Sequence, residues 1–342
     1  MNTPNITPCK VNVASETGRL RAVLLRRPGI EIERMTPLNA AQALYSDILD
    51  KPTVDNEYGL FSGVLERWCT VYHVQDILEV LLKDNDIRQH LVIESLRHDR
   101  RTSQQQQLND GLTDYLMGLD STQLARVLIE GYEKDFWDGF SDDRYLLKPL
   151  YNLLFTRDAS STIYDRVLIN SMSFEVRERE SMIYEAIFRH FFGAEILNVA
   201  PWNPLARTEG GDIHIASPDL LCIGEGIRTN AKGIDYLAQK FAHERDHFNI
   251  LVQEMPMEPD SFIHLDMVFT PFSARVYGFR TYVEKARHLC EQGHNTDSDR
   301  QWKNHLSPGG KYPQWSATGG MGHQTYHLRW QRLMGTTTRA MA

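Results

Sequence analysis

Residues 152–192 read NLLFTRDASSTIYDRVLINSMSFEVRERESMIYEAIFRHFF, a β-prone segment followed by an amphipathic one. Residues 160–172 are rich in β-branched and apolar side chains, which predicts a strand. Apolar residues recur at helical spacing in residues 176–192, which predicts a helix. Further along the chain we predict strands at 213–215, 220–223 and 250–253, and a helix at 234–243. Such alternation is typical of an α/β protein.

The alternation also occurs near the amino end of the chain. Residues 20–25, LRAVLL, predict a strand that is buried on both faces, because apolar side chains are dense there. The pattern that follows predicts helices at 40–50 and 57–68 and a short strand at 71–74.

Residues 75–145 differ, because almost every segment has a helical pattern. One apolar face consists of Ile77, Leu78, Leu81 and Leu82. A second consists of Leu124, Val127, Leu128 and Tyr132, with Ser121 available as an N-cap. This block predicts a helical domain inserted into the α/β chain.

The last 72 residues, 271–342, differ in composition from the rest of the chain. They contain no isoleucine, and 10 Lys and Arg against 4 Asp and Glu give a charge of +6. Residues 1–270 hold 27 basic and 41 acidic residues, a charge of −14. Only a short helix at 276–289 is predicted. We expect a basic, disordered tail or the product of a shifted reading frame.

The whole chain of 342 residues has the composition of a globular protein, with 42% hydrophobic and 24% charged residues. Its net charge of −8 argues against broad binding to nucleic acid or to anionic membranes. No apolar run approaches the ~18 residues of a membrane span, and the first residues lack the features of a secretory signal. We expect a cytoplasmic protein, and composition leaves open whether it forms a homo-oligomer.

Four short segments place charged residues among apolar ones. They are residues 155–158 (FTRD), 209–212 (EGGD), 223–229 (IGEGIRT) and 264–266 (HLD). Each alone fits a salt bridge at a strand end, because a buried charge needs a partner. Taken together, they indicate a binding site in which Glu209 orients His264.

Two carboxylates and two arginines determine what such a site could bind. Asp158 and Asp266 can hold a cation between them. Arg177 and Arg228 can bind a carboxylate through bidentate hydrogen bonds. A zwitterion with a cationic head fits this arrangement, and arginine is the natural candidate.

Seven stretches in series resemble the arginine deiminase family over roughly residues 10–270. They are VASETGRLRAVLLRRPG, the TPLN and ALYSDIL segment, NLLFTRD, VRERE, EGGD, IGEGIRTNAKGID and HLDMVFT. The resemblance implies a five-bladed α/β propeller, the guanidine-modifying fold, which would be incomplete here. Residues 10–74 and 146–270 would form its first and second parts, 75–145 the helical insertion and 271–342 an atypical tail.

The resemblance also implies catalytic roles, with L-arginine as the small-molecule substrate and no cofactor or metal. Asp158 and Asp266 would grip the guanidinium and aim its carbon at a nucleophile. His264 would act as general acid and base, and Glu209 would orient it.

Four further residues would bind the substrate or shape the site. The substrate α-carboxylate would lie against Asn152, Arg177 and Arg228. Asp212 of EGGD would shape the site, together with the two glycines before it, which allow close backbone approach.

The family's reaction also requires a cysteine thiolate. It attacks the guanidinium carbon, ammonia leaves, and water hydrolyses the S-alkylthiouronium to citrulline. The family's cysteine lies near the C-terminus in a GGxxCM-like context, whereas residues 319–324 here, GGMGHQ, keep only the glycines. The four cysteines are Cys9, Cys69, Cys222 and Cys290. None is a good replacement, and Cys222 in LLCIG is expected to be a buried, inert thiol.

Three functions stay open at this point. The chain can be an arginine deiminase by descent, which as written we expect to be inactive, or a catalytically dead arginine-binding protein. The third is a metal hydrolase with Asp212, His214, His264 and Asp266 as ligands. That last match is weak, because any two residues that are separated by one position on a strand, such as Asp212 and His214, lie on the same face. His214 is expected to be an ordinary strand histidine.

Overall fold

The structure is a computed structural model that describes residues 6–102, 110–134, 144–242, 248–256, 262–273, 276–279 and 325–329. The chain divides into two compact units. Unit 1 consists of Met1–Ala14, Gly18–Gly210 and Arg228–Gly233, and unit 2 of Ser15–Thr17, Gly211–Ile227 and Ile234–Ala342. Helices alternate with strands outside a helical stretch, which confirms the α/β class. The five-bladed arrangement and the domain boundaries stay predictions.

Unit 1 holds three small sheets and most of the helices. Its helices are α1 (Lys51–Leu65), α2 (Val74–Leu81), α3 (Asn85–Thr102), α4 (Asp110–Gly118), α5 (Ser121–Glu130) and α6 (Glu175–Ala186). Its strands are β1 (Ala22–Leu25), β2 (Thr70–His73), β3 (Tyr132–Glu133), β4 (Tyr145–Leu147), β5 (Ser160–Ile163), β6 (Arg166–Ile169) and β7 (Glu195–Asn198). β1 pairs with β2 in parallel, β3 with β4 antiparallel, and β5 and β6 form a hairpin that β7 extends in parallel.

Unit 2 contains a four-stranded sheet that consists of β8 (Ile213–Ser217), β9 (Leu220–Glu225), β10 (Asn249–Glu254) and β13 (Thr325–Arg329). The strand order in this sheet is β13-β10-β9-β8. The helix α7 (Ala231–Ala242) connects β9 to the parallel strand β10. Strands β11 (Phe269–Ser273) and β12 (Val276–Phe279) form an antiparallel pair. Among the described residues, no helix has the length and apolar character needed to cross a membrane.

The structure corrects the predicted helices at 40–50 and 57–68. Turns precede α1, which begins at Lys51 and ends at Leu65. Leu44 has a φ of 63°, a left-handed conformation that a continuous helix does not accept. Asp50 then starts α1 by accepting a hydrogen bond from the Thr53 amide at 3.0 Å.

Three further predictions differ from the structure. The single strand predicted at 160–172 is the β5–β6 hairpin, which turns at Tyr164 with a φ of 56°. The strand near residue 20 is less buried than predicted, because only Leu25 of β1 is fully buried and Ala22, Val23 and Leu24 are partly exposed. Residues 276–279 form β12 rather than a helix, and residues 280–289 lie outside the described residues.

The remaining element predictions are confirmed to within a few residues at each end. These are the strands near 71–74, 213–215, 220–223 and 250–253, and the helices near 176–192 and 234–243. The helix predicted at 176–192 has an additional feature: α6 ends at Ala186 and continues into a π-helical turn, Ile187–Phe191. Phe191, the last residue of this turn, and Phe192, the residue after it, pack edge-on against Tyr72.

Helices α2 to α5 form one packed group within residues 74–130. Their fully buried side chains include Ile77, Leu78, Leu82, Leu91, Leu116, Leu124 and Leu128. A capping box starts α5, because the Asp120 side chain accepts from the Gln123 amide while the Gln123 side chain accepts from the Asp120 amide. The apolar faces predicted from the sequence therefore mostly form the buried sides of these helices, but Tyr132 lies in β3, and the N-cap of α5 is Asp120 and not Ser121.

Ion pairs connect α3 to α6 within unit 1. Arg179 of α6 lies 2.9 Å from Asp99 of α3 and also donates to two backbone carbonyls. His98 of α3 lies 3.2 Å from the Glu178 carboxylate. Burial alone would lower the pKa of His98, but its hydrogen bonds to Asp99 and Glu178 raise that pKa above the ordinary value.

We expect His98→Gln to destabilise the protein at pH 6 but not at pH 9. A raised pKa means that the folded protein binds the proton more tightly, so this stabilisation is complete below the unfolded pKa and disappears as pH rises through the folded one. The expected loss at low pH is about 0.5–1 kcal/mol in the free energy of unfolding from urea titrations. His90→Gln, an exposed position on the same helix, is the control. An equal loss at both pH values would contradict the prediction.

Candidate functional site

Arg177, in the first turn of α6, is the centre of a buried group of charges in unit 1. Its Nη1 lies 2.7 Å from Oδ2 of Asp158. Its Nη2 and Nε lie 2.9 and 3.2 Å from Oε2 of Glu180, one helical turn away. A third carboxylate, that of Glu209, lies 3.7 Å from the same Nη1. One guanidinium therefore faces three carboxylates, and all four residues are buried.

The net charge of this cluster indicates which kind of ligand it can accept. Arg177 and Arg228 carry two positive charges against the three negative charges of Asp158, Glu180 and Glu209 when all are ionised, which gives −1. A buried net charge is unfavourable, and it is neutralised either by a proton on Glu180, whose pKa is raised to about 7, or by one more cation. The fully ionised cluster is therefore suited to a cationic ligand.

The protonation equilibria in the cluster follow from its burial. Burial raises the pKa of Glu180 to about 7, although Arg177 opposes the shift. Burial alone would lower the pKa of Arg177, but Glu180 and Asp158 more than compensate and raise it. Arg177 is therefore charged at every accessible pH, whereas Glu180 can take up a proton near neutrality.

Glu209 is held from three sides. Its Oε2 lies 3.0 Å from Nη1 of Arg228, and its Oε1 accepts a hydrogen bond from the Ser173 amide at 3.1 Å. Its own amide donates to the Thr229 hydroxyl at 3.0 Å. The guanidinium of Arg228 also lies 4.7 Å from the ring centre of Phe174. A carboxylate fixed in this way is suited to orienting another group.

Gly210 holds the EGGD segment, residues 209–212, next to the FTRD turn, residues 155–158, through two hydrogen bonds. Its amide donates to the Asp158 carbonyl at 3.0 Å, and its carbonyl accepts from Nε of Arg157 at 3.0 Å. A Cβ on this residue would lie 1.8 Å from the Arg157 carbonyl oxygen. Only glycine allows the two backbone segments to approach each other so closely. This contact fixes the backbone that carries Asp158.

Asn152 has a structural contact in addition to its predicted role. Its side-chain amide donates a hydrogen bond to the Ala43 carbonyl at 2.8 Å, and its backbone carbonyl accepts one from Nη2 of Arg177 at 3.4 Å. Within unit 1, the side chain thus holds the turns that precede α1 against the segment that leads to Asp158.

Three of the predicted site residues lie in unit 2. His264 is buried and Asp266 is partly buried, on either side of Leu265. Oδ1 of Asp212 accepts a hydrogen bond from the Leu265 amide at 2.9 Å, which fixes this segment. A Cβ on Gly211 would lie 2.6 Å from the His264 ring, so this position also requires glycine.

The structure therefore brings together part of the predicted site. Five of the predicted residues lie in unit 1: Asn152, Asp158, Arg177, Glu209 and Arg228. Asp212, His264 and Asp266 lie in unit 2. The convergence of both sets on one substrate stays a prediction. One difference is clear within unit 1, because Arg177 contacts Asp158 directly instead of lying at the opposite end of the site.

The sequence interpretation missed three contributors to the cluster, Ser173, Thr229 and Glu180. Ser173 and Thr229 contribute through backbone or hydroxyl contacts, which no pattern marks. Glu180 was visible in VRERE, because it lies three residues after Arg177 and therefore on the same helix face.

The described cysteines do not resemble an activated nucleophile. Cys222 lies on β9 and is buried, which confirms that prediction, and burial raises the pKa of its thiol to about 12. Burial also raises the pKa of Cys69, and Cys9 is partly buried. Cys290 lies outside the described residues. A reactive cysteine needs a lowered pKa.

The structure does not support the ligand set of the metal-hydrolase alternative. Within the residues that the structure covers, Asp212, His214, His264 and Asp266 do not assemble as a set of metal ligands. The His214 ring packs edge-on against Phe269, 5.6 Å between ring centres, as expected of a strand histidine.

Comparison with known proteins gives consistent matches. A family model for arginine deiminase matches residues 41–307, which is beyond residue 270, where we expected the resemblance to end. An arginine deiminase of Latilactobacillus sakei is 32% identical over 307 residues, covering 84% of this chain and 74% of that protein. One of Limosilactobacillus reuteri is 30% identical over 274 residues, covering 76% and 66% respectively, so the chain spans two thirds to three quarters of these relatives.

Solved structures with some similarity belong to other enzymes. A DDAH of Pseudomonas aeruginosa in complex with citrulline has 13% identity and a TM-score of 0.42, covering 74% of this chain and 67% of that one. An amidinotransferase of Microseira wollei has 15% identity and a TM-score of 0.41, covering 77% and 67%. The family model and the sequence relatives are sufficient by themselves: the chain belongs to the arginine deiminase family.

Proposed function

We propose that the chain binds the guanidinium of L-arginine at Asp158, in the buried cluster that also holds Glu180 and Glu209. The observation that supports this most directly is that the guanidinium of Arg177 lies among three buried carboxylates, an environment that accepts a guanidinium group. Asp158 would be the primary contact, because a carboxylate and a guanidinium form two parallel charge-assisted hydrogen bonds. Asp266 of unit 2 would supply the second carboxylate.

Arg228, Asn152 and Arg177 would bind the substrate α-carboxylate. An incoming carboxylate has to compete with Glu209 for Arg228, and the guanidinium has to compete with Arg177 for Asp158. Binding therefore exchanges internal ion pairs for pairs with the substrate. The positive and negative ends of arginine make both exchanges at once, which a ligand with only one charge cannot do.

The chemistry that such a site would perform in the family is hydrolysis of L-arginine to L-citrulline and ammonia. His264, oriented by Glu209, would protonate the leaving ammonia and then activate water. A cysteine thiolate would form the covalent bond to the guanidinium carbon. Because burial raises the pKa of the Cys69 and Cys222 thiols and no GGxxCM-like motif occurs, we propose that this chain binds arginine without turning it over.

The second candidate is an active deiminase that uses Cys290. The family match extends to residue 307 and therefore includes this position. The two candidates agree on arginine binding and differ only on product formation.

Calorimetry tests the binding proposal. We expect the chain to bind L-arginine with a Kd between about 1 μM and 1 mM, and to bind L-citrulline more weakly because its ureido group is neutral. Asp158→Asn should weaken arginine binding by about 10- to 100-fold through loss of a charged hydrogen bond. Asp165→Asn, an exposed carboxylate in the β5–β6 turn, is the matched control and should bind normally. Equal affinity of the two variants, or equal binding of arginine and citrulline, would contradict the proposal.

A further inference from the structure

Glu180 and Asp158 hold different edges of the Arg177 guanidinium. Oε2 of Glu180 accepts hydrogen bonds from Nη2 and Nε at 2.9 and 3.2 Å, whereas Nη1 donates to Oδ2 of Asp158 at 2.7 Å. Glu180 lies three residues after Arg177 on α6, so the helix itself keeps this pair together. The loss of the Nη1 contact to Asp158 would therefore leave both bonds to Glu180 intact.

The other carboxylate oxygen of Glu180, Oε1, is buried and has no hydrogen-bond donor among the residues that the structure describes. Burial and the nearby charge of Glu180 raise the pKa of Tyr45 and of Tyr184. The hydroxyls of these tyrosines donate elsewhere, to the carbonyls of Tyr151 and Leu153 at 2.9 and 2.8 Å. A buried oxygen that carries charge without a donor is costly, and a proton removes that charge. Oε1 is therefore well suited to carry a proton.

A neighbouring buried ion pair shows the opposite arrangement. Oδ1 of Asp99 lies 2.9 Å from Nη1 of Arg179, and Oδ2 accepts a hydrogen bond from the Lys148 amide. Although burial alone would raise the pKa of Asp99, Arg179 and these hydrogen bonds lower it overall. Asp99 is therefore ionised throughout the neutral range. The missing donor at Oε1 distinguishes Glu180 from a carboxylate that only stabilises the fold.

The charges that face Glu180 couple its protonation to the binding of a cation. Burial raises its pKa to about 7, Arg177 opposes the shift, and Asp158 and Glu209 add to it. When Glu180 is protonated, the two positive charges of Arg177 and Arg228 balance the two remaining carboxylates. A bound guanidinium would bring this cluster to +1, and loss of the proton from Glu180 would restore neutrality. Cation binding and proton release therefore favour each other.

From these contacts we propose that Glu180 is a positioning residue of the arginine site, which retains Arg177 when the ligand guanidinium takes over Asp158 and which releases a proton from Oε1 at that step. Nη1 of Arg177 then binds the α-carboxylate of the same ligand, while Nη2 and Nε stay on Oε2. The proton passes to solvent, and no bond between heavy atoms forms or breaks. This role rests on the proposed binding of arginine at Asp158.

Isothermal calorimetry at pH 7 in phosphate and in Tris, two buffers with different ionisation enthalpies, counts the protons released when arginine binds. We expect about half a proton per arginine, because a carboxyl group with a pKa of about 7 is half protonated at this pH. Between pH 6 and 8 the association constant should rise about tenfold, since the ionised fraction of Glu180 rises from about one tenth to about nine tenths.

A neutral variant assigns the proton to Glu180. Glu180→Gln replaces the carboxyl group by an amide of the same size and should abolish both the proton release and the rise in affinity with pH. Glu175→Gln, at an exposed position in the first turn of α6, is the matched control and should keep both. Circular dichroism shows whether each variant is folded. The same proton release in Glu180→Gln and in the wild type would come from another group and would overturn the proposal.

The failure of this role and the failure of the proposed function give different results. The absence of arginine binding at every pH would contradict both, whereas binding without proton release would contradict only the role of Glu180. If Glu180→Gln does not fold, Glu180→Asp keeps an ionisable group on a shorter side chain and should shift the pH at which the affinity rises. An unchanged midpoint would overturn the proposal.

Discussion

The purified 342-residue chain, incubated with L-arginine, is expected to bind the amino acid and to release no citrulline at a per-second rate. The carboxylates and arginines that would hold arginine are present, but burial raises the thiol pKa of Cys69 and Cys222, and no GGxxCM-like motif occurs. Loss of the nucleophile from a covalent enzyme lowers turnover by about a million-fold. The measurement is citrulline and ammonia released over hours, with folding of the sample checked by circular dichroism.

The design of this experiment separates the two candidate functions. Turnover at an ordinary enzymatic rate that Cys290→Ala abolishes would contradict our expectation and establish Cys290 as the nucleophile. Cys9→Ala is the matched control, because this thiol is only partly buried and lies near the amino end of the chain. The reading-frame explanation is tested independently by translating the nucleotide sequence from codon 270 to codon 307 in all three frames, since the family match extends to residue 307.

Replacement of Arg177 by methionine is expected to lower the free energy of unfolding by about 3–5 kcal/mol. Methionine keeps most of the volume but removes the only cation within reach of Glu180 among the ion pairs that the structure describes. Asp158 and Glu209 lose a partner as well. Breaking a buried ion pair is costly because the remaining charges stay desolvated. Urea denaturation followed by fluorescence of the six tryptophans measures the change.

Two further variants keep this test decisive. Arg97→Met removes an exposed ion pair with Glu94 on α3 and should cost less than about 1 kcal/mol. If Arg177→Met does not fold, Arg177→Lys retains the charge and should show a smaller loss, because an ammonium cannot make the forked contacts to Asp158 and Glu180. A loss for Arg177→Met no larger than that for Arg97→Met would show that the buried cluster does not stabilise the fold.

The sequence was a good guide where structure depends on local periodicity. The strands around Ile213 and Leu221 and the helix that carries Arg177 follow from runs of apolar residues, because burial of one face selects the period. The start of α1 could not be predicted in this way. It depends on the backbone conformation of Leu44 and on a cap by Asp50, which are properties of individual residues.

The site was predictable as a set of residues but not as a set of contacts. Isolated charges within apolar segments identified Asp158, Arg177, Glu209 and Arg228, because only a functional or paired charge is buried. The pairing itself depends on tertiary packing. Periodicity does not show that Arg177 turns toward Asp158, or that the neighbouring Arg179 turns toward Asp99 instead.

The π-helical turn after α6 has an evolutionary consequence. A π-turn is equivalent to one extra residue in a helix, and here it lies at the end away from Arg177 and Glu180. Insertions or deletions at that end would rearrange Phe191 and Phe192 against Tyr72 and leave the first turns of α6 in register. The end of the helix after Ala186 is therefore expected to tolerate insertions and deletions, whereas its first turns are not. Relatives should differ in length after Ala186 more readily than between Glu175 and Glu180.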